Sequence, residues 1–321
     1  LPSEPIRPGT FRRVLTVSAD PGLARLIAGL DTLLAFPYGC TEQRLSQAWA
    51  LLALRNWSGL LPDGDSVTQR ASAAVQAVAQ IIAESIDDQG LVAFWPKSRG
   101  YVALTAWSLA FLAEAKKQGE PVDDKLLERL TRVLRQALRS DYPRLLNGSE
   151  YLERTTALEA LASASAADEA YLSELLRQAE FLTPEAAARV AVALAQSPSA
   201  DRPALTRLVG QLWEAVETRH FQGRDIYAGL REGNGGSPLI LPSETRTLAT
   251  MIHAVALADP NEPRLNLLTD ALIRLGQQDG WGSTQADQQA IRALVAYQTH
   301  PSPAAGRFTV RAGPDGKPEV V

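Results

Sequence analysis

The chemistry of this sequence centres on its only cysteine, Cys40, and on a glutamine three positions later, Gln43. Both stand where a turn containing Pro37 and Gly39 gives way to apolar residues at helical spacing. Residues three apart on a helix are neighbours. A thiol held against a carboxamide can attack the amide carbon and expel ammonia, which leaves an internal thioester. The spacing therefore predicts a strongly electrophilic acyl group, and a nucleophile that opens it becomes bound to Gln43.

A lone cysteine is more often a small buried hydrophobic residue than a reactive one, so Cys40 alone would suit a core position. The whole string around it favours the reactive reading. It consists of Phe36, Pro37, Tyr38, Gly39, Cys40, Thr41, Glu42 and Gln43. This string resembles the thioester signature, Gly-Cys-x-Glu-Gln, of the alpha-2-macroglobulin and complement C3 family, and its Pro37 and Tyr38 resemble the bacterial members.

The resemblance implies that Pro37, Tyr38, Gly39 and Glu42 support the thioester turn. Glu42 has a second explanation, because an acidic side chain in the first turn of a helix is favourable against the helix dipole. It needs no chemical role on that account.

Composition predicts a helical protein large enough for a substantial core. The 321 residues are 45% hydrophobic, mostly Ala and Leu, and only 6% aromatic. A single domain of this length suits closed helical architectures. We therefore predict an all-α fold.

Two kinds of helical segment alternate along the chain. Amphipathic segments, each with one charged face, are predicted at 19–35, 65–86, 123–139, 167–180, 201–218 and 261–275. Segments that are apolar on nearly every side are predicted at 40–57, 101–115, 151–162, 184–195, 243–257 and 283–297. Six helical hairpins follow, with the apolar helices inside and the amphipathic ones outside, in an α/α toroid. The thioester domain of the resembled family is also an α/α toroid.

If all six inner helices point the same way, the loops before them meet at one rim with Cys40 and Gln43. The loop from Gly280 to Gln285 carries a further resemblance, because the last inner helix of the family begins with a similar Ser-Thr-Gln run. A thioester must be shielded from water, and the candidate shield or rim residues are Phe36, Tyr38, Trp95, Tyr151, Trp281 and Gln285. Buried aromatic residues are, however, more often simple core residues.

No residue pattern indicates a metal site or a cofactor. His220 is predicted in a loop without a partner at metal-ligand spacing, and His253 lies in an apolar helix as a core residue. Some complement relatives carry a histidine before the third inner helix, which redirects the acyl group to hydroxyls. Residues 147–151 contain none. The resemblance therefore implies direct attack by lysine amines, as in the protease-trapping branch.

The ends of the chain are predicted to lie outside the toroid. Residues 1–19 are predicted as a β-like entry segment, 20–300 as the thioester domain, and 301–321 as a linker with a β-like segment. Disordered termini would explain the two ends equally well. The chain begins with Leu1 and without an apolar leader, as expected of a piece of a longer protein.

Charge and hydropathy indicate neither nucleic-acid binding nor a membrane-spanning segment within this sequence. The net charge is −4, with both signs interspersed and no basic stripe, so nucleic acid is not indicated. No apolar run approaches the roughly 20 residues that cross a bilayer. The resemblance implies a bacterial defence protein of the periplasm, anchored to the membrane through a part outside this chain. Its expected partners are target proteases, captured covalently, and other domains of the same inhibitor.

Two further hypotheses stay open on the sequence alone. An α/α toroid also hosts terpene cyclases, prenyltransferases and glycosidases. Asp123 and Asp124 lack the further aspartates that a cyclase needs, and nothing marks a pair of glycosidase carboxylates. The other hypothesis is a helical scaffold in which the thioester never forms. No such enzyme explains the spacing of Cys40 and Gln43, whereas the scaffold differs from the thioester domain only in its chemistry.

Overall fold

The computed structural model describes residues 21–55, 58, 64–139, 151–198, 201–231, 240–276, 280–298, 311–312 and 319–320. Within these ranges the chain forms α1 (Pro21–Leu34), α2 (Thr41–Leu54), α3 (Gly64–Glu84), α4 (Val102–Lys117), α5 (Asp124–Leu138), α6 (Tyr151–Ser163), α7 (Glu169–Arg177), α8 (Pro184–Gln196), α9 (Arg202–Glu214), α10 (Glu244–Ala258), α11 (Leu265–Leu275) and α12 (Thr284–Gln298). A short 3₁₀ turn, Ala179–Phe181, follows α7. The all-α prediction is confirmed.

The even-numbered helices form the interior. They are buried on nearly every side, as helices without a polar face must be. From α4 onward each packs against the next even-numbered helix, α12 packs against α2, and α2 contacts α4. The succession is therefore closed, which is the arrangement that the toroid prediction requires.

The odd-numbered helices cover this interior with one face each. In α5, Leu126, Leu130, Leu134 and Leu138 recur every fourth residue and are buried. The helix begins at Asp123, whose carboxylate accepts a hydrogen bond from the Lys125 N–H at 2.9 Å. The two kinds of helix expected from sequence thus occupy the two expected layers.

One predicted element is wrong at its end. The helix expected over 201–218 stops at Glu214, and the chain continues as an antiparallel hairpin of β1 (Val216–Phe221) and β2 (Arg224–Leu230). Between the strands, Gln222 and Gly223 adopt positive φ angles of 48° and 79°, as a two-residue hairpin turn requires. His220 therefore lies in β1 and not in a loop.

The structure describes little of the chain ends. The predicted segment 1–19 lies outside the described residues, as does most of 301–321. Arg311–Ala312 and Glu319–Val320, here β3 and β4, pair as a short antiparallel ladder. Among the described helices, none combines the length and apolar character needed to cross a membrane.

Candidate functional site

Cys40 is the residue that caps the start of α2. Its backbone is extended (φ −67°, ψ 165°), and the N–H of Gln43 is directed at its sulfur. Two other inner helices use hydroxyl oxygens in the same place: Thr183 accepts from the Ala186 N–H at 3.3 Å and Ser243 from the Arg246 N–H at 3.2 Å. The thiol thus stands where α8 and α10 have an oxygen cap.

The side chain of Gln43 folds back over the same turn. Its Oε1 accepts a hydrogen bond from the backbone N–H of Cys40 at 3.0 Å. The side chain of each residue therefore faces the backbone N–H of the other, in a reciprocal capping box. This arrangement places the carboxamide of Gln43 over the residue that carries the thiol.

The thiol of Cys40 is buried, with 8% of the residue exposed. Burial raises the pKa of the Cys40 thiol, and the nearby Glu42 carboxylate raises it further. The N–H groups of Gln43 and Glu42 oppose this effect because they stabilise a thiolate at the helix start. The net effect is a raised pKa of the Cys40 thiol, and burial shelters the sulfur from solvent.

The loop between α3 and α4 holds the start of α2 from one side. The N–H and the hydroxyl of Thr41 both donate to the carbonyl oxygen of Phe94, each at 3.0 Å. The Phe94 ring packs on Tyr101 with centroids 5.5 Å apart. Trp95, a candidate shield, directly follows Phe94 and is 55% exposed. It directly follows the residue that binds Thr41, but most of its own surface is exposed.

The segment before Cys40 lies on the other side of the turn. Phe36 and Tyr38 pack edge to face at 5.5 Å, and Tyr38 is 66% exposed. The Gln47 side chain donates to the carbonyl oxygen of Phe36 at 3.4 Å and fixes this segment to α2. At Gly39 an added Cβ would lie 3.0 Å from the Arg44 guanidinium, so the Arg44 side chain covers this glycine.

Glu42 has two hydrogen-bond partners that the sequence analysis did not identify. Its carboxylate accepts from the Ser46 hydroxyl at 2.7 Å and from the Thr284 hydroxyl at 3.0 and 2.9 Å to its two oxygens. Ser46 lies one turn further along α2, a spacing that could have suggested the contact. Thr284 stands 242 residues away, and no local signal points to it.

The carboxyl of Glu42 is nearly inaccessible, with 7% of the residue exposed. Burial raises the pKa of Glu42, although the hydrogen bonds from Ser46 and Thr284 oppose the shift. Its structural role is thus a contact between the starts of α2 and α12.

The loop before α12 reaches this site through Thr284. Trp281 of the same loop is instead a core residue, 6% exposed, with its indole N–H donating to the Leu272 carbonyl oxygen at 2.8 Å. An added Cβ at Gly29 would lie 2.2 Å from the Trp281 ring. The backbone N–H of Trp281 donates to the Asp287 carboxylate at 2.5 Å, and burial raises the pKa of Asp287 to about 6.

The two remaining rim candidates are Gln285 and Tyr151. Gln285 is half-buried and lines a cavity of about 10 Å³ between the inner helices, together with Trp49 and Trp107. Tyr151 begins α6 and donates its hydroxyl to Gln178 at 2.8 Å, without a described contact to the turn of Cys40. Of the loop before it, residues 147–150 lie outside the described residues.

The two described histidines, His220 and His253, lie away from the site. His253 is partly buried and faces a cavity of about 390 Å³ at the other ends of the inner helices, and burial together with Arg292 lowers its pKa to about 3. His220 is exposed, with its Nδ1 3.1 Å from Asp225. His300 lies outside the described residues. Within the described part of the chain, no three His, Cys, Asp or Glu side chains are placed to hold a metal ion.

The two aspartates considered for an enzyme lie at the protein surface. Asp123 caps α5, and Asp124 forms an ion pair with Lys116. Both therefore have structural partners at the start of an outer helix.

Comparison with known proteins identifies the fold. No family model matches the sequence. No curated protein matches it either. Among solved structures, the chain is similar to Salmonella alpha-2-macroglobulin reacted with methylamine (22% identity, TM-score 0.70, 94% of this chain and 19% of that one). It is also similar to native Escherichia coli alpha-2-macroglobulin spanning domain MG7 to the C-terminus (21% identity, TM-score 0.64, 85% and 42%).

A third similar structure is trypsin-activated Escherichia coli alpha-2-macroglobulin (21% identity, TM-score 0.59, 83% and 18%). The chain spans about a fifth of the Salmonella and trypsin-activated chains and less than half of the MG7 fragment. At this level of identity the likeness establishes a shared fold. It agrees with the resemblance that the Cys40 motif indicates.

Proposed function

We propose that this chain is the thioester domain of a bacterial alpha-2-macroglobulin-like protease inhibitor, in which Cys40 and Gln43 form an internal thioester. The observation that carries the proposal is the reciprocal cap, in which the Gln43 N–H faces the Cys40 sulfur and the Cys40 N–H binds Gln43 Oε1 at 3.0 Å. Cysteine is unusual as a helix cap, and here it faces the one carboxamide that the turn folds back onto it.

The thioester forms when the Cys40 sulfur attacks the side-chain amide carbon of Gln43. A C–S bond forms, the C–N bond breaks, and the amide nitrogen leaves as ammonia with the thiol proton. The backbone N–H of Cys40 already binds the amide oxygen, so it can stabilise the negative charge that this oxygen gains during attack. The proximity of the two groups replaces a bimolecular encounter.

Capture is the attack of an amine on this acyl carbon. A new C–N bond joins Gln43 to a lysine of the protease, the C–S bond breaks, and the amine proton returns to the sulfur of Cys40. The leaving thiolate is favoured by the N–H groups of Glu42 and Gln43 and opposed by burial. Shelter is therefore necessary, because water would otherwise convert Gln43 to glutamate.

Phe36, Tyr38 and Trp95 are the aromatic side chains that we propose as the shelter in the full-length protein. Tyr38 and Trp95 are largely exposed and flank the cap, so a neighbouring domain can pack against them. The full inhibitor supplies that neighbour and the trigger, and we place it in the periplasm. The similar structures include bacterial alpha-2-macroglobulins reacted with methylamine and activated by trypsin, which supports an amine-reactive site.

The test is the intact mass of natively purified protein with and without methylamine, followed by peptide mapping at Cys40 and Gln43. We expect a mass lower than the encoded one by one ammonia. Methylamine should then add to Gln43 and release a Cys40 thiol that alkylates.

The matched control is Cys40→Ser, which keeps an oxygen cap on α2 but cannot form the thioester. It should show the encoded mass and no methylamine adduct. An unmodified Gln43 beside a free Cys40 thiol in freshly purified wild-type protein contradicts the proposal and favours the scaffold hypothesis. Glutamate at position 43 indicates a thioester that formed and hydrolysed.

A further inference from the structure

We propose that Glu42 is a positioning residue for the thioester and that Thr284 is the latch that holds it. This inference deepens the proposed function and rests on it. Glu42 lies between Cys40 and Gln43 in one helical turn, and its carboxylate receives the Thr284 hydroxyl from the start of the last inner helix. The contact closes the ring of inner helices directly beside the two reacting residues.

Among the residues that the structure describes, the hydrogen-bond partners of this carboxylate are hydroxyl groups. Ser46 donates from the next turn of α2 at 2.7 Å, and Thr284 donates from α12 at 2.9 and 3.0 Å. Among the described residues, no Lys, Arg or His forms an ion pair with Glu42. Because charge-assisted hydrogen bonds are short and directional, they fix the turn without an ion pair at Glu42.

Thr284 lies at a helix start that is itself hydrogen-bonded. The Ser283 hydroxyl caps α12 by accepting from the Ala286 N–H at 3.2 Å, and the Ser283 carbonyl accepts from the Asp287 N–H at 2.8 Å. Trp281, three residues earlier, is locked in the core by Leu272 and Asp287. A hydroxyl that stands on a hydrogen-bonded helix start can restrain its partner.

The expected consequence is geometric. Attack within the turn requires the sulfur and the amide carbon to stay in near-contact, and a shift of about 1 Å can cost 100-fold in rate. The cap hydrogen bonds alone join neighbours within the first turn of α2. The Thr41 contact ties this turn to the loop between α3 and α4, and the Thr284 contact ties it through Glu42 to the start of α12.

The experiment compares Thr284→Val with Thr284→Ser in the same chain. Valine keeps the shape of threonine and removes the hydroxyl, whereas serine keeps the hydroxyl. We measure the fraction of chains that have lost ammonia at a fixed time after purification. We expect this fraction to fall at least threefold in Thr284→Val and to return near the wild-type value in Thr284→Ser.

Ser283→Ala is the control for damage to the loop, and thermal unfolding is recorded for all variants. A Thr284→Val protein with the wild-type fraction would overturn the proposal. So would a Thr284→Ser protein no better than the valine variant, or a Ser283→Ala protein that loses as much thioester at equal thermal stability.

The wild-type mass separates this proposal from the function on which it rests. If wild-type protein has lost no ammonia, the proposed function fails, and the latch is judged by alkylation of Cys40 with iodoacetamide. A latch that holds the turn makes Thr284→Val react several-fold faster than wild type and Thr284→Ser. Equal rates in all three proteins would show that Thr284 does not restrain the turn.

Discussion

Glu42 and Glu185 occupy the same position in two inner helices and have opposite electrostatic character. Each is the second residue of its helix, in α2 and α8, and each is nearly inaccessible, with 7% and 4% exposed. The pKa of Glu42 is raised, whereas that of Glu185 is lowered to about 2. Equal burial therefore does not decide the direction in which the pKa of a buried carboxyl shifts.

The partners of the two carboxyls explain the difference. Burial alone would raise the pKa of Glu185, but Arg246 and Arg189 outweigh it. Arg246 donates through Nε and Nη2 to the two carboxylate oxygens at 2.8 and 3.0 Å, and Arg189 adds a bond at 2.8 Å. Arg189 in turn binds Glu159 at 2.6 Å, so four buried charges join α6, α8 and α10.

The inner helices are joined by different kinds of contact at these two places in the helix ring. At Glu185 the inner helices are joined by ions, and at Glu42 by hydroxyls. An arginine beside Glu42 would also lie near Cys40, where a positive charge would lower the pKa of the thiol. Hydroxyl partners avoid that effect and leave the sulfur protonated.

The largest expected difference in stability is the one between the Glu185→Gln and Glu42→Gln variants. Removing Glu185 from the buried ion cluster takes away the described ionic partner of Arg246 and leaves Arg189 with Glu159 alone, so Glu185→Gln should lower the free energy of unfolding by about 3 to 5 kcal/mol. Glu42→Gln removes a buried charge with no cationic partner and should cost about 1 kcal/mol or less. Urea denaturation followed by circular dichroism measures both, and equal losses would refute the distinction.

The pH dependence of the free energy of unfolding should also differ between the same two residues. The folded-state pKa of Glu185 lies below its ordinary value of 4.5, so its stabilisation is present above pH 4.5 and is lost toward pH 2. This loss should be on the order of 3 kcal/mol in wild-type protein and absent from Glu185→Gln.

The contribution of Glu42 to the pH dependence of stability has the opposite sign. Because its folded-state pKa is raised, its contribution is present below its ordinary value of 4.5 and is lost as pH rises through the raised pKa. Glu42→Gln should therefore remove a fall in stability above pH 4.5 and leave the acid limb unchanged. Free energies of unfolding measured from pH 3 to 8 test both signs, and a parallel shift of the two variants would count against them.

The smallest expected effect on stability comes from one of the two hydroxyl partners of Glu42. Ser46→Ala removes the 2.7 Å hydrogen bond to Glu42 while Thr284 remains, so stability should fall by about 1 kcal/mol. Ser108→Ala is the matched control, because that buried hydroxyl donates only to the Leu104 carbonyl of its own helix. Its loss should stay within about 0.5 kcal/mol on thermal or urea unfolding. Equal effects would mean that Glu42 does not depend on Ser46.

The sequence predicts the fold well because its signals are local. Apolar and amphipathic segments alternate with caps at Asp123, Thr183, Asp201 and Ser243, and each begins a helix close to the predicted position. The hairpin β1–β2 was missed because its strands are mostly exposed and lack a clear apolar alternation. Only the Gln222–Gly223 pair between β-branched and aromatic residues marks its turn.

The site is predictable in its core and not in its surroundings. The spacing of Cys40 and Gln43 places them in one turn by helix geometry alone. The partners of Glu42 and Glu185 come from other helices, through Thr284 and Arg246, and such contacts have no periodicity. Trp281 illustrates the same limit: its place in the loop suggested a rim residue, whereas its contacts with Gly29 and Leu272 are those of the core.

The reciprocal cap of α2 also provides a built-in spectroscopic probe. The amide proton of Cys40 is bonded to a side-chain oxygen and not to the helix, so its hydrogen-exchange rate reports whether Gln43 is folded back. The amide proton of Arg44 is bonded to the Cys40 carbonyl at 3.0 Å and reports the first turn of the helix itself. The ratio of these two exchange rates follows the reactive turn in solution before any nucleophile is added.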